Sequence, residues 1–65
     1  MLIYFTDAMT QKSIAINPTH VIAALESPNN EEIPGNTVVN LITGTVALEE
    51  KLLYVVGMIN GELRQ

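Results

Sequence analysis

Few side chains in this sequence could do chemistry. His20 is the single imidazole and would be the natural general base near neutral pH, yet no Ser or Cys is marked out beside it as a nucleophile. The seven acids include two adjacent pairs, Glu31-Glu32 and Glu49-Glu50. A divalent cation needs carboxylate oxygens that converge, whereas adjacent residues on a strand or helix point in different directions. Both pairs therefore read as solvated charges, one in a loop and one at a helix start. Gly44, Gly57 and Gly61 lack the spacing of a phosphate-binding loop, and Pro34-Gly35-Asn36 reads as a turn. The three basic residues, Lys12, Lys51 and Arg64, are far apart in sequence. In a symmetric oligomer each would recur around the axis, and with His20 they are candidate contacts for a small anionic, nucleotide-like ligand. No catalytic residue, metal site or cofactor is expected.

The composition points to assembly. A chain of 65 residues buries only about 60% of the surface its unfolded form exposes. Small domains are commonly supported by disulfides, a metal or a partner subunit. With no cysteine and one histidine, the first two supports are missing. The chain is 48% hydrophobic and only 15% charged, so it holds more apolar surface than one small monomer readily hides. Oligomerisation is the expected support. A net charge of −4 argues against nucleic-acid backbones and anionic membrane surfaces. The apolar start at residues 1–5 is short and has no basic flank, so neither a signal peptide nor a spanning segment is expected. A cytoplasmic protein follows as the expectation, with no nucleic-acid partner and no membrane insertion.

The elements that must position these groups can be read along the chain. Residues 2–6 are rich in Leu, Ile, Tyr and Phe and precede the turn-prone Asp7, which predicts a strand and a hairpin connection. In residues 13–17 the alternation puts Ile14 and Ile16 on one face of a second strand. Asn17-Pro18 ends it. Residues 19–26 allow two readings. Asn17 as N-cap with Pro18 behind it would open a helix, whereas a tight turn would lead into a third strand through Val21, Ile22 and Leu25. The strand is preferred. Residues 27–36 form a polar, acidic loop, long for so small a domain, of the kind that is either mobile or used for binding. Residues 37–42 are the clearest strand, followed by a Thr43-Gly44 turn and a short strand over residues 45–48.

From about Glu49 to Asn60 the period becomes helical. Leu48, Leu52, Val55, Val56, Ile59 and Leu63 share one stripe, with Glu49 and Glu50 in the first turn. Leu53, Tyr54, Gly57 and Met58 lie off that stripe and are also apolar or small. One sheet cannot cover both sides of a helix, so a homo-oligomer is expected through these four residues or through the edge of the first or last strand. The fold expected is a single α+β domain over residues 1–65. It is a small bent antiparallel sheet of four or five short strands, open or barrel-like, closed by one C-terminal helix.

In its order of elements the chain resembles the flagellar and swarming motility protein family. The residues that carry the resemblance are Met1-Leu2-Ile3 and Thr6, Ile16-Asn17-Pro18, Ile22 with Leu25-Glu26, Val38 with Leu41, Thr43-Gly44, and Leu48 with Glu50 ahead of Val55 and Ile59. It spans nearly the whole chain. Departures are Ala8-Met9-Thr10 where the family usually holds an Asn-Gly turn, Glu50-Lys51 where it has Glu-Ser, and a longer loop over residues 28–36. The resemblance implies a non-enzymatic, homo-oligomeric regulatory or interaction module of the bacterial motility type. The alternative is a phage-encoded binding protein, acting in the host cytoplasm, that sequesters a small anionic signal or inhibits a host defence protein.

Overall fold

A computed structural model of the chain describes residues 1–63. In chain order it holds β1 (Ile3–Thr6), β2 (Ser13–Ile16), a single 3-10 turn (Pro18–His20), β3 (Val21–Glu26), β4 (Thr37–Leu41), β5 (Gly44–Leu48) and α1 (Leu52–Leu63). The α+β class is as the sequence predicts. The strands are divided between two antiparallel sheets, β1-β2 and β3-β4-β5, and of the open and barrel-like forms expected the open one is found, since the sheets do not close into a barrel. They touch at one corner. Asp7 and Leu48 form an isolated antiparallel bridge, with the Ala8 N–H donating to the Ala47 carbonyl at 2.8 Å and the Glu49 N–H to the Thr6 carbonyl at 2.9 Å. Among the described residues no backbone group of the β1-β2 turn beyond Ala8 pairs with β5, so the contact is too short to make a barrel seam.

The β1-β2 connection is built by Asp7. Its carboxylate accepts the Met9 N–H at 2.8 Å and its carbonyl accepts the Gln11 N–H at 2.8 Å, a local turn that short acidic side chains favour. The resulting register sets Ile3 opposite Ile16 and Phe5 opposite Ile14. With a side-chain period of two, these four residues share the face turned to the core while Tyr4 is left outside.

Both readings of residues 17–26 contain part of the answer. The Asn17 side chain does cap, accepting the Thr19 N–H at 3.0 Å, and Pro18 does open a helical turn. The turn ends after His20, and Val21 begins the strand. A bulge follows, because the register with β4 shifts between Val21 and Ala23. One extra residue changes the phase of the alternation. Val21 and Ala24 consequently both pack on the core, and Ile22 is expelled to solvent.

The core is small: Ile3, Phe5, Ile16, Val39, Leu48, Val55 and Ile59, with Val21, Leu41 and Val46 among the residues packed around it. Helix α1 lies over β3 and the 3-10 turn. It starts at Leu52, not at Glu49, and no acid stands in its first turn. The residues ahead of it are held in a non-helical path from both sides. The Asn36 side-chain amide donates to the Glu49 carbonyl at 2.7 Å, and the buried Thr37 hydroxyl donates to the Glu50 carbonyl at 2.6 Å. Carbonyls captured in this way cannot enter a helical ladder. The core-facing stripe is also narrower than the periodicity suggests. Val55 and Ile59 are buried and Leu52 half-buried, but Val56 is 36% exposed and Leu48 belongs to β5. No helix among the described residues is long and apolar enough to cross a membrane.

Gly35 locks the long loop to this framework. Its φ is +89°, a region that side-chain-bearing residues rarely adopt. A Cβ placed there would stand 2.5 Å from the Leu48 carbonyl oxygen and 2.6 Å from the Ala8 Cβ. Gly35→Ala should therefore cost at least about 2 kcal/mol, through strain and overlap together. Urea denaturation measures this directly, and a loss under about 0.5 kcal/mol would mean that the joint is not so tightly closed.

Candidate functional site

The four residues expected at an oligomer interface fall where the helical period puts them, outside the core. Leu53 is 87% exposed, Tyr54 55% and Met58 39%; Gly57 is also exposed, and an added Cβ there would meet no atom of the chain within 4 Å. Val55 and Ile59 point the other way, into the core. Tyr54 has a second attachment. Its ring meets that of the buried Phe5 edge to face, with centroids 6.4 Å apart and planes at 84°, a favoured aromatic geometry. The ring is thus braced from within while part of it stays open to solvent. A braced aromatic has little side-chain freedom left to lose on binding, which is why such residues serve well at interfaces.

Beside Leu53 runs an open cleft of about 520 Å3, bordered by Glu26, Ser27, Asn36, Lys51, Leu52 and Leu53. Lys51 is one of the candidate ligand contacts. An anion drawn to it would also face the Glu26 carboxylate, so the cleft of a single chain is mixed in charge. The other candidates lie on different elements. Lys12 ends the β1-β2 turn, exposed, with its carbonyl accepting the Asp7 N–H. His20 closes the 3-10 turn, exposed, and its backbone is committed to Asn17 and Ile42. Arg64 lies outside the described residues. Lys12 and His20 do not border the cleft that Lys51 borders.

The acidic pairs resolve differently from one another. Glu31 and Glu32 are solvated on the loop, as expected. Glu50 is not a free charge. Both of its carboxylate oxygens accept the Thr6 N–H, at 2.9 and 3.0 Å, in a half-buried setting. That bond ties the entry of α1 to the end of β1. It is invisible in sequence because the partners are 44 residues apart. Among the described residues no group of three or more His, Asp or Glu side chains is arranged to hold a metal ion.

Sequence reasoning missed the second apolar surface. Met9 and Ile33, from the β1-β2 turn and the long loop, stand with Val38 and Ala47 around a hollow of about 140 Å3 on the sheet. The loop is braced from within. The Ser27 hydroxyl donates to the Ile33 carbonyl at 3.0 Å, and the Asn30 side chain accepts the N–H groups of Glu32 and Ile33. An isolated Ile in an acidic, turn-rich segment was the one available signal for it.

No family model matches the chain, and neither a curated protein nor a solved structure is similar to it.

The Glu50 contact gives a direct check. Glu50→Ala should lower stability by about 1–2 kcal/mol, the range for a hydrogen bond to a charged acceptor that keeps some solvent. Millimolar calcium or magnesium should leave the melting temperature of the unaltered protein where it was. A metal-dependent rise would return Glu50 to the role of a ligand.

Proposed function

We propose that the protein is a non-enzymatic interaction module that self-associates through the outer face of α1. The observation that carries this reading is the exposure of Leu53 and Tyr54 on a helix whose opposite side supplies Val55 and Ile59 to the core. Contiguous exposed apolar surface of this kind is uncommon on monomers and marks places where a partner sits. Gly57 lies between Leu53 and the end of the helix with open space above it, so the backbone of a neighbouring helix can approach closely there. A small core gains much from such an association, since anything that binds only the folded chain stabilises it by mass action. The resemblance to motility-type small proteins suggests a regulatory role in bacteria for the assembled module. Nothing in the arrangement of His20, Lys12 and the acids calls for a catalytic reading.

Light scattering tests the assembly. At micromolar concentration the protein should run at a multiple of the 7.1 kDa chain mass. Leu53→Asp should shift it to the single-chain mass while leaving the far-ultraviolet circular dichroism spectrum unchanged. Gly57→Ala should raise the stability of the dissociated chain by roughly 1 kcal/mol, the helix-propensity difference, and Gly57→Leu should block assembly by filling the approach. A single-chain mass for the unaltered protein would overturn the proposal.

A further inference from the structure

We infer that the open edge of β5 and the adjoining hollow receive an extended, basic and apolar segment of another protein by strand addition. Three observations meet at this place. First, the outer edge of β5 is only partly paired. The Ala8 N–H reaches the Ala47 carbonyl, and by the two-residue alternation of a strand the backbone groups of Thr45 point to the same edge. Among the described residues no backbone group of the β1-β2 turn pairs with Thr45. Such an edge is a template for another strand.

Second, an apolar hollow adjoins that edge. Met9, Ile33, Val38, Thr45 and Ala47 border it. Its volume of about 140 Å3 resembles that of protein cavities that hold one benzene-sized group, roughly 150 Å3. That is room for one large apolar side chain. Strand addition supplies such groups at every second residue, so backbone pairing at Thr45 and a side chain in the hollow can come from the same segment.

Third, the rim is acidic. Glu32 borders the hollow and Glu31 precedes it on the same exposed loop. The whole chain carries −4. A second copy would bring more like charge than opposite charge to this rim, whereas a Lys- or Arg-bearing segment is complementary to it. The occupant is therefore a different, basic chain. This surface lies apart from the outer face of α1, and the inference does not rest on self-association.

The test uses the full-length chain, labelled with 15N, and three nine-residue synthetic peptides: alternating isoleucine and arginine, alternating isoleucine and glutamate, and alternating serine and arginine. The isoleucine-arginine peptide should shift the amide signals of Met9, Thr45, Val46 and Ala47 in a saturable way. The other two should bind at least fivefold more weakly, the first for lack of complementary charge and the second for lack of a side chain to fill the hollow. Glu32→Lys, on the exposed loop, should weaken the isoleucine-arginine peptide at least fivefold, while Leu53→Asp should leave its affinity unchanged. Equal binding of the serine-arginine peptide would reduce the site to charge adsorption and overturn the inference. So would shifts confined to α1, or a change in the chain's own mass on Glu32→Lys, which would place a second copy at this edge.

Discussion

The fold depends on how closely two stretches of chain, the Gly35-Asn36 turn and the segment just after β1, approach the end of β5 at Leu48. The Leu48 side chain is fully buried in the core while its carbonyl accepts the Asn36 N–H at 2.9 Å, and Gly35 passes so near that a Cβ would overlap it. Ala8, two residues after β1, stands beside Gly35 and donates its N–H to the Ala47 carbonyl. Because β5 ends there, the same joint fixes where the chain leaves the sheet and where α1 begins. The Glu50 carboxylate on the Thr6 N–H and the Thr37 hydroxyl on the Glu50 carbonyl hold that exit from opposite sides. Besides this joint the two sheets share the core cluster, in which Ile3, Phe5 and Ile16 meet Val39 and Leu48 together with Val55 and Ile59 of the helix.

Economy at the joint leaves apolar surface elsewhere. Among the described residues a cluster of seven buried hydrophobic side chains joins two small sheets and one helix, and a chain of this length has little else with which to cover the remaining apolar groups. Some of the surplus, such as Leu2, Tyr4, Ile22 and Ile42, is spread over the strands and the residues beside them. Part of it gathers on the outer face of α1 around Leu53, and part at the β5 edge under Met9 and Ile33. Beside the first surface Lys51 and Glu26 are of opposite charge; the second has an acidic rim. That difference in chemistry is the ground for proposing another copy of the chain at the first face and a basic partner at the second.

Much of the secondary structure could be read from local signals. The alternation of Ile14 and Ile16, the β-branched run at Thr37-Val38-Val39 and the Asn17-Pro18 stop each act within a few residues, and each appears in the structure. Leu53, Tyr54, Gly57 and Met58 were legible as helix residues off the core stripe for the same reason. The errors came where long-range contacts override local preference. Glu49 and Glu50 are good first-turn residues, but Asn36 and Thr37 take their carbonyls before a helix can. Ile22 looks like an inward strand residue until the bulge rotates it outward. Val56 fits the helical stripe, yet the core beneath α1 is too narrow to reach it.

The sequence by itself determined an α+β chain with short strands, a final helix apolar on two sides, and too small a core for its apolar content, because composition and periodicity are properties of neighbouring residues. Tertiary structure alone decided that the strands form two sheets meeting at one corner, that the helix waits until Leu52, and that Met9, Ile33 and Thr45 border one hollow beside an acidic rim. Those outcomes rest on contacts between residues well separated in sequence, 13 positions for Asn36 with Glu49 and 44 for Thr6 with Glu50. Their geometry is set by which backbone groups can approach each other without overlap, as at Gly35, where a Cβ would collide with the Leu48 carbonyl.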